Sequence, residues 1–370
     1  MSFRVIVACV CLSLVAASTS RAETSVSERL AATAAQLLEA LPDGAREEAA
    51  FPFDDDERED VRFAPLLLDG ARHGELPDAA ASLTEELLAI SLGPRGLDRV
   101  RQIRRNELAV AKKDAARWVP GFVGRRMRDP GRYFVALFGA PSPSAAWGFR
   151  YEGHHLSLNV TLAPGAVPAT TPLFLGAEPR AVPEGSPDAG AKVLGEEEAA
   201  ARALVAALPP ELRARATLVY ADGRELMLGQ VRRVSLGEAG GVARGEAPPE
   251  AQQHFDALIA LFCGNFAVPI ADARSQEIDA AGRDALRFLW AEAPEPPGAF
   301  YFRLQGPRTL IEVDNTTDGD HVHAVWHDPR GDFGDDLLAA HLREAHGLAL
   351  ASEVRSEAQP SGVTTAWSPR

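Results

Sequence analysis

Apolar residues recur at helical spacing along much of the chain. Over residues 27–41 they fall at Leu30, Ala34, Leu37, Leu38 and Leu41, and Pro42-Asp43-Gly44 closes that segment. Residues 83–92 and 97–110 read as two more helices separated by Gly93-Pro94. Helical periodicity returns at 196–208, 251–262 and 335–346. Elsewhere the period drops to two. In HLSLNVTL, Leu156, Leu158, Val160 and Leu162 occupy one face, and His155, Ser157, Asn159 and Thr161 the other. In TLIEVDN, Thr309, Ile311 and Val313 alternate with Arg308, Leu310, Glu312 and Asp314.

These strands belong to segments that align with each other without a gap. Residues 132–153 match 285–306, so that Ala140, Pro141, Pro143, Phe149, Arg150 and Gly153 meet Ala293, Pro294, Pro296, Phe302, Arg303 and Gly306. Each copy runs from an apolar strand through a proline-bearing loop to an aromatic strand, a glycine turn and a return strand. The pattern predicts an α+β fold of two related halves, about 61–189 and 190–350, each a three-stranded β-meander packed with helices. Neither half covers its sheet alone, so one two-lobed domain over 61–350 is expected. The Pro/Gly/Ala-rich stretch 178–190 serves as the linker. Residues 23–60 supply an N-terminal helix and an acidic, solvated loop at 54–60, and 351–370 form a flexible tail.

The chain starts with Arg4, an apolar run over 5–17, and Ser20-Arg21-Ala22, which puts small residues where a signal peptidase reads. Residues 1–22 are therefore expected to be a signal peptide, and the mature protein periplasmic or secreted. That run is shorter than the ~20 residues a spanning helix needs, and no later run is longer, so no membrane anchor is expected. The formal charge of −14 becomes −16 without Arg4 and Arg21, which argues against nucleic acid as a partner. Cys9 and Cys11 leave with the leader, so Cys263, within an apolar run, has no internal disulfide partner and reads as a core residue.

Histidine carries the candidate chemistry. His154 and His155 sit at the first hairpin turn, and His321, His323 and His327 follow the second hairpin. Residues two apart in extended chain point to the same side, so His321 and His323 can reach one ion, with His155 completing the set from the other half. Asp314 is a candidate carboxylate ligand. Asp320 and Asp328 are likewise available as a carboxylate ligand or, with Asp314, as acceptors that orient the rings. His154, Asn159, Trp326, Asp328 and Asp332 are expected as supporting residues, with Trp147 and Trp326 lining a cleft between lobes. Calcium is disfavoured, because Asp314, Asp318 and Asp320 do not follow the EF-hand spacing. The chain has no G-x-S-x-G elbow, P-loop or G-x-G-x-x-G fingerprint.

Two longer motifs resemble an uncharacterised family catalogued as domain of unknown function 3500. One is Gly153-His154-His155-Leu156-Ser157-Leu158-Asn159 with Thr171-Pro172-Leu173-Phe174-Leu175-Gly176-Ala177-Glu178-Pro179. The other is Asp314-Asn315, His321-Val322-His323, Trp326, Asp328 and Asp332-Phe333-Gly334. Members of that family usually carry arginine at the position of His327, which weakens this residue as a ligand. The resemblance supports these segments and implies no activity.

The expected function is a metal-dependent enzyme, hydrolase or oxidoreductase, acting on a small molecule. A divalent transition metal, zinc or copper ahead of iron, would sit on His155, His321, His323 and Asp314, with Glu178 as general base. The alternative is a non-catalytic binding protein that holds a small ligand or sequesters a metal.

Overall fold

Helix α1 (Val26–Ala40) buries the stripe read from its periodicity and starts on a capping box. The Ser25 hydroxyl accepts from the Glu28 N–H at 3.2 Å, and the Glu28 carboxylate accepts from the Ser25 N–H at 2.8 Å. The protein is seen here as a computed structural model that describes residues 25–62, 68–114, 129, 131–182, 184–185, 189–218, 234, 236–237, 239–292, 298–315 and 319–346. The expected leader at 1–22 and the tail at 351–370 lie outside these residues.

The further helices are α2 (Asp43–Ala49), α3 (Asp78–Ser91), α4 (Pro94–Asp114), α5 (Gly195–Ala207), α6 (Pro210–Ala216), α7 (Pro249–Cys263), α8 (Val268–Ala280) and α9 (Asp335–His346). Gly93-Pro94 does separate α3 from α4, as proline at a helix start allows. Among the described residues three helices escape the periodicity. Helices α2 and α6 are each a single short segment of seven residues, and α8 buries just Ile270, Arg274 and Ile278. No helix among the described residues is long and apolar enough to cross a membrane.

The strands are β1 (Ala50–Phe51), β2 (Ala71–Arg72), β3 (Phe134–Phe138), β4 (Trp147–Gly153), β5 (Leu156–Leu162), β6 (Leu173–Ala177), β7 (Thr217–Leu218), β8 (Val242–Ala243), β9 (Arg287–Glu292), β10 (Phe300–Gly306), β11 (Thr309–Asp314) and β12 (Val322–His327). They form one mixed sheet in the order β1-β3-β4-β5-β6-β12-β11-β10-β9-β7, with β2 also on β3 and β8 on β9. The architecture is thus α+β.

Two details differ from the expectation. The antiparallel meanders β3–β6 and β9–β12 have four strands each, because the chain after each return strand adds another. They also join edge to edge through antiparallel pairing of β6 with β12, so the sheet runs unbroken where a cleft between lobes was expected. Pairing satisfies backbone groups that two open edges would leave exposed.

The alternation read from the sequence holds. Leu156, Leu158, Val160, Leu162, Ile311 and Val313 enter the main core with Val322, Ala324 and Trp326. The opposite face is polar yet covered: Arg150, Glu152, Ser157, Asn159, Glu312 and Asp314 are all buried there. The acidic loop is part of that cover. Residues Asp56–Glu59 form a 3-10 turn, and the Glu57 side chain is only 12% exposed and ion-pairs with Arg150. Arg150 also donates to the Glu57 and Asp60 carbonyls at 2.5 and 2.6 Å. A buried guanidinium on the sheet needs acceptors, and this loop provides them.

Candidate metal centre

The site lies where β6 meets β12. Cross-strand partners share a face of a sheet, and one row runs Tyr301, Asp314, His323, Gly176 from β10 to β6. The Gly176 N–H donates to the His155 carbonyl at 2.7 Å, which adds the β4–β5 turn to the end of this row. Gly176 leaves room for the rings. A Cβ there would meet His323 Cδ2 at 2.8 Å, His155 Cδ2 at 3.0 Å and the Val322 carbonyl oxygen at 3.0 Å.

The turn itself is tight, with His155 in the left-handed region at φ 63°. Tyr133 donates its hydroxyl to the His154 carbonyl at 2.9 Å, and its ring passes so close to Gly153 that any Cβ would sit 2.3 Å from it. Sequence and packing together aim both turn histidines inward. Their rings stack at 3.7 Å.

The element that receives them is α4. Its buried stripe runs Val100, Ile103, Asn106 and Glu107, and Asn106 anchors the helix by donating to the Pro179 carbonyl at 2.9 Å beyond β6. Glu107, 1% exposed, places Oε1 at 2.8 Å from His155 Nδ1 and 2.9 Å from His154 Nδ1. His155 Nε2 then faces His321 Nε2 at 2.9 Å. The His321 and His323 rings are 4.4 Å apart, and that of His323 is 5.5 Å from His155.

The protonation states follow from burial and hydrogen bonding. Burial disfavours a charged imidazole at His155 more than Glu107 favours it, and its pKa falls to about 3. Burial alone would raise Glu107, but the His154 and His155 imidazoles beside it outweigh that and bring the carboxyl down to about 2. A neutral His155 that donates from Nδ1 to an ionised Glu107 presents an Nε2 lone pair toward His321, which is the tautomer that can bind a metal.

Among the described residues, two groups of side chains have ligand atoms within 4.8 Å of one another: His155, His321 and His323, and Glu107, His154 and His155. Either group could hold a metal ion. Nitrogen ligands at ~2.0–2.1 Å that subtend ~90–110° lie ~2.9–3.4 Å apart, so the spacing of His155 and His321 fits a shared ion.

The sequence expectations fare unequally here. His155, His321 and His323 come together, and His154 joins through Glu107. Asp314 neighbours His323 across the strands but belongs to neither group. Glu178, half-buried just past β6, is also outside them. Asn159 lies in another row, donating to the Ser157 hydroxyl at 3.2 Å and the Pro172 carbonyl at 3.0 Å.

Three expectations need correction. Trp326 sits on the core face, its ring 5.7 Å from Phe266, because even-numbered positions of β12 point away from His323; Trp147 is likewise in the core, stacked on Phe149. Asp328 serves an ion-pair cluster with Arg308, Arg274 and the neighbouring Asp336. Asp332 accepts from the Asp328 N–H at 2.7 Å and pairs with His327 Nδ1 at 2.6 Å, so it orients His327 and none of the clustered histidines.

Glu107 was missed. Its signal was a carboxylate at position i+4 from Ile103 and i+7 from Val100, where the stripe of α4 calls for an apolar residue.

A family model described as protein of unknown function (DUF3500) matches residues 23–335, and the chain belongs to that family. No curated protein and no solved structure matches it.

Proposed function

With that membership as the starting point, we propose that this protein is an exported metal-dependent enzyme acting on a small molecule, with a divalent ion, zinc or copper, on His155, His321 and His323. The observation that carries the reading is the convergence of three imidazoles beside a buried carboxylate that fixes the tautomer of one of them. Three neutral protein ligands leave a coordination position for water or substrate, whereas a storage site closes its shell with protein donors. They also leave the ion's charge undiminished, which favours ionisation of a bound water if the metal is zinc. With copper, the same ligands suit oxidation of a bound substrate. Asp314, across the strands from His323 and outside the ligand groups, is the candidate further carboxylate, and Glu178 is the candidate base. The family match begins at residue 23, directly after the cleavage point expected from the leader, in keeping with export.

The test uses protein purified without a histidine tag, stripped of metal and reloaded with Zn2+ or Cu2+. The zinc form is offered activated esters and the copper form phenolic reductants with dioxygen. Turnover in one form, absent from the apoprotein and from a His321→Ala/His323→Ala variant, is expected. Stoichiometric metal with no turnover in either form would favour the binding-protein reading.

A further inference from the structure

Glu107 and His154 stand in a relation that a single ion does not use. His154 Nδ1 lies 2.9 Å from Glu107 Oε1 but, among the described residues, is buried without a hydrogen bond, so the two atoms are close and not aimed at one another. Among the described residues, Glu107 Oε2 is also buried without a partner. Donors that converge without pointing at each other are arranged as ligands around a common centre. A buried polar atom left unpaired calls for a water, an ion or a function. His155 completes the set, since its Nδ1 is 2.8 Å from the same carboxylate oxygen while its Nε2 faces His321. The stacking of the His154 and His155 rings brings both Nδ1 atoms to one carboxylate.

We propose that the site is dinuclear: a second divalent transition-metal ion binds Glu107, His154 and Nδ1 of His155, with the His155 imidazole bridging it to the first ion. This rests on the reading of His155, His321 and His323 as the first site. With one ion bound, Glu107 accepts the His155 Nδ1–H and orients the ring. When the second ion enters, that proton passes to solvent, and the Nδ1 electron pair forms the new metal–nitrogen bond. The ionised Glu107 and the bridging imidazolate each bring a negative charge, offsetting part of the charge that two ions introduce into a buried place. The Nδ1 atoms of His154 and His155 lie 2.9 and 2.8 Å from Glu107 Oε1, the separation expected for ligands at ~2.0–2.1 Å that subtend about a right angle. Such angles suit copper(II) better than tetrahedral zinc.

The experiment loads metal-free, tag-free full-length protein with Cu2+ and measures bound copper together with its paramagnetic resonance signal. Two coppers per chain are expected, with a signal well below that of two independent ions, because the bridge couples their spins. His154→Asn and Glu107→Gln should each return the protein to one copper with its full signal. Folding of the variants is checked by circular dichroism, and the wild-type measurement stands without them. One copper with full signal in the wild type, or two uncoupled coppers, would overturn the second site and leave the first intact. No stoichiometric copper or zinc would remove both.

Discussion

Replacing Gly176 by alanine probes the seam between β6 and β12 where the site is built. The added Cβ meets two imidazole carbons at 2.8 and 3.0 Å and the Val322 carbonyl oxygen at 3.0 Å. Ordinary contacts are half an ångström or more longer, so something must move. Val322 pairs with Ala177 in the ladder, so its carbonyl cannot retreat without loosening the join between the two meanders. The rings can turn only by leaving Glu107 and each other. Overpacking of this kind costs about 1–3 kcal/mol, and displaced ligands lose metal affinity by about tenfold or more. Denaturant unfolding of the apoprotein measures the first effect and competitive titration with a chelator the second. Gly44→Ala is the control, since nothing lies within 4 Å of that position in α2, and it should be neutral or stabilising by up to about 1 kcal/mol. If Gly176→Ala keeps wild-type stability and wild-type affinity, the packing described here is wrong.

Three other outcomes are expected. Burial raises Glu152 to about 8 although Arg150 opposes it, so between about pH 4.5 and 8 the folded chain holds a proton that the unfolded chain has released. Stability from this group is therefore greatest at acid pH and falls as pH rises to 8, by on the order of a few kcal/mol; in Glu152→Gln that fall should vanish from unfolding curves at pH 5 and pH 9, and an unchanged pH dependence would contradict it. Glu107→Gln, which takes the charge from behind His155, should weaken binding of the first ion by about 10–100-fold in a chelator titration while the fold persists by circular dichroism. Arg308→Met leaves buried Asp328 with Arg274 at 3.5 Å as its remaining guanidinium and should cost about 3 kcal/mol in denaturant unfolding, at neutral pH more than in acid.

Local periodicity carried much of the architecture. Residues 27–41, 196–208 and 335–346 fold where their apolar spacing points, and the alternation in HLSLNVTL sorts core from polar face. The histidine-x-histidine spacing likewise anticipated that the His321 and His323 rings lie close together. What local pattern cannot carry is pairing between distant segments. The β6–β12 seam joins strands roughly 145 residues apart in the chain, and without it a cleft between lobes was the natural guess. Glu107 was hidden for the same reason: an acidic residue in a helix reads as solvent-facing until its partners, His154 and His155, are known. Trp326 was misjudged because a polar neighbourhood in sequence says nothing about which side of the strand faces the core. The acidic stretch at 54–60 looked solvated because its burial depends on Arg150, some ninety residues onward.

Elemental analysis tests the three-histidine ion site most directly. Tag-free protein from its native compartment is compared with the His321→Ala/His323→Ala variant prepared in the same way. At least one equivalent of zinc or copper in the wild type, lost in the variant, is the expected result. Equal, sub-stoichiometric metal in both would contradict it.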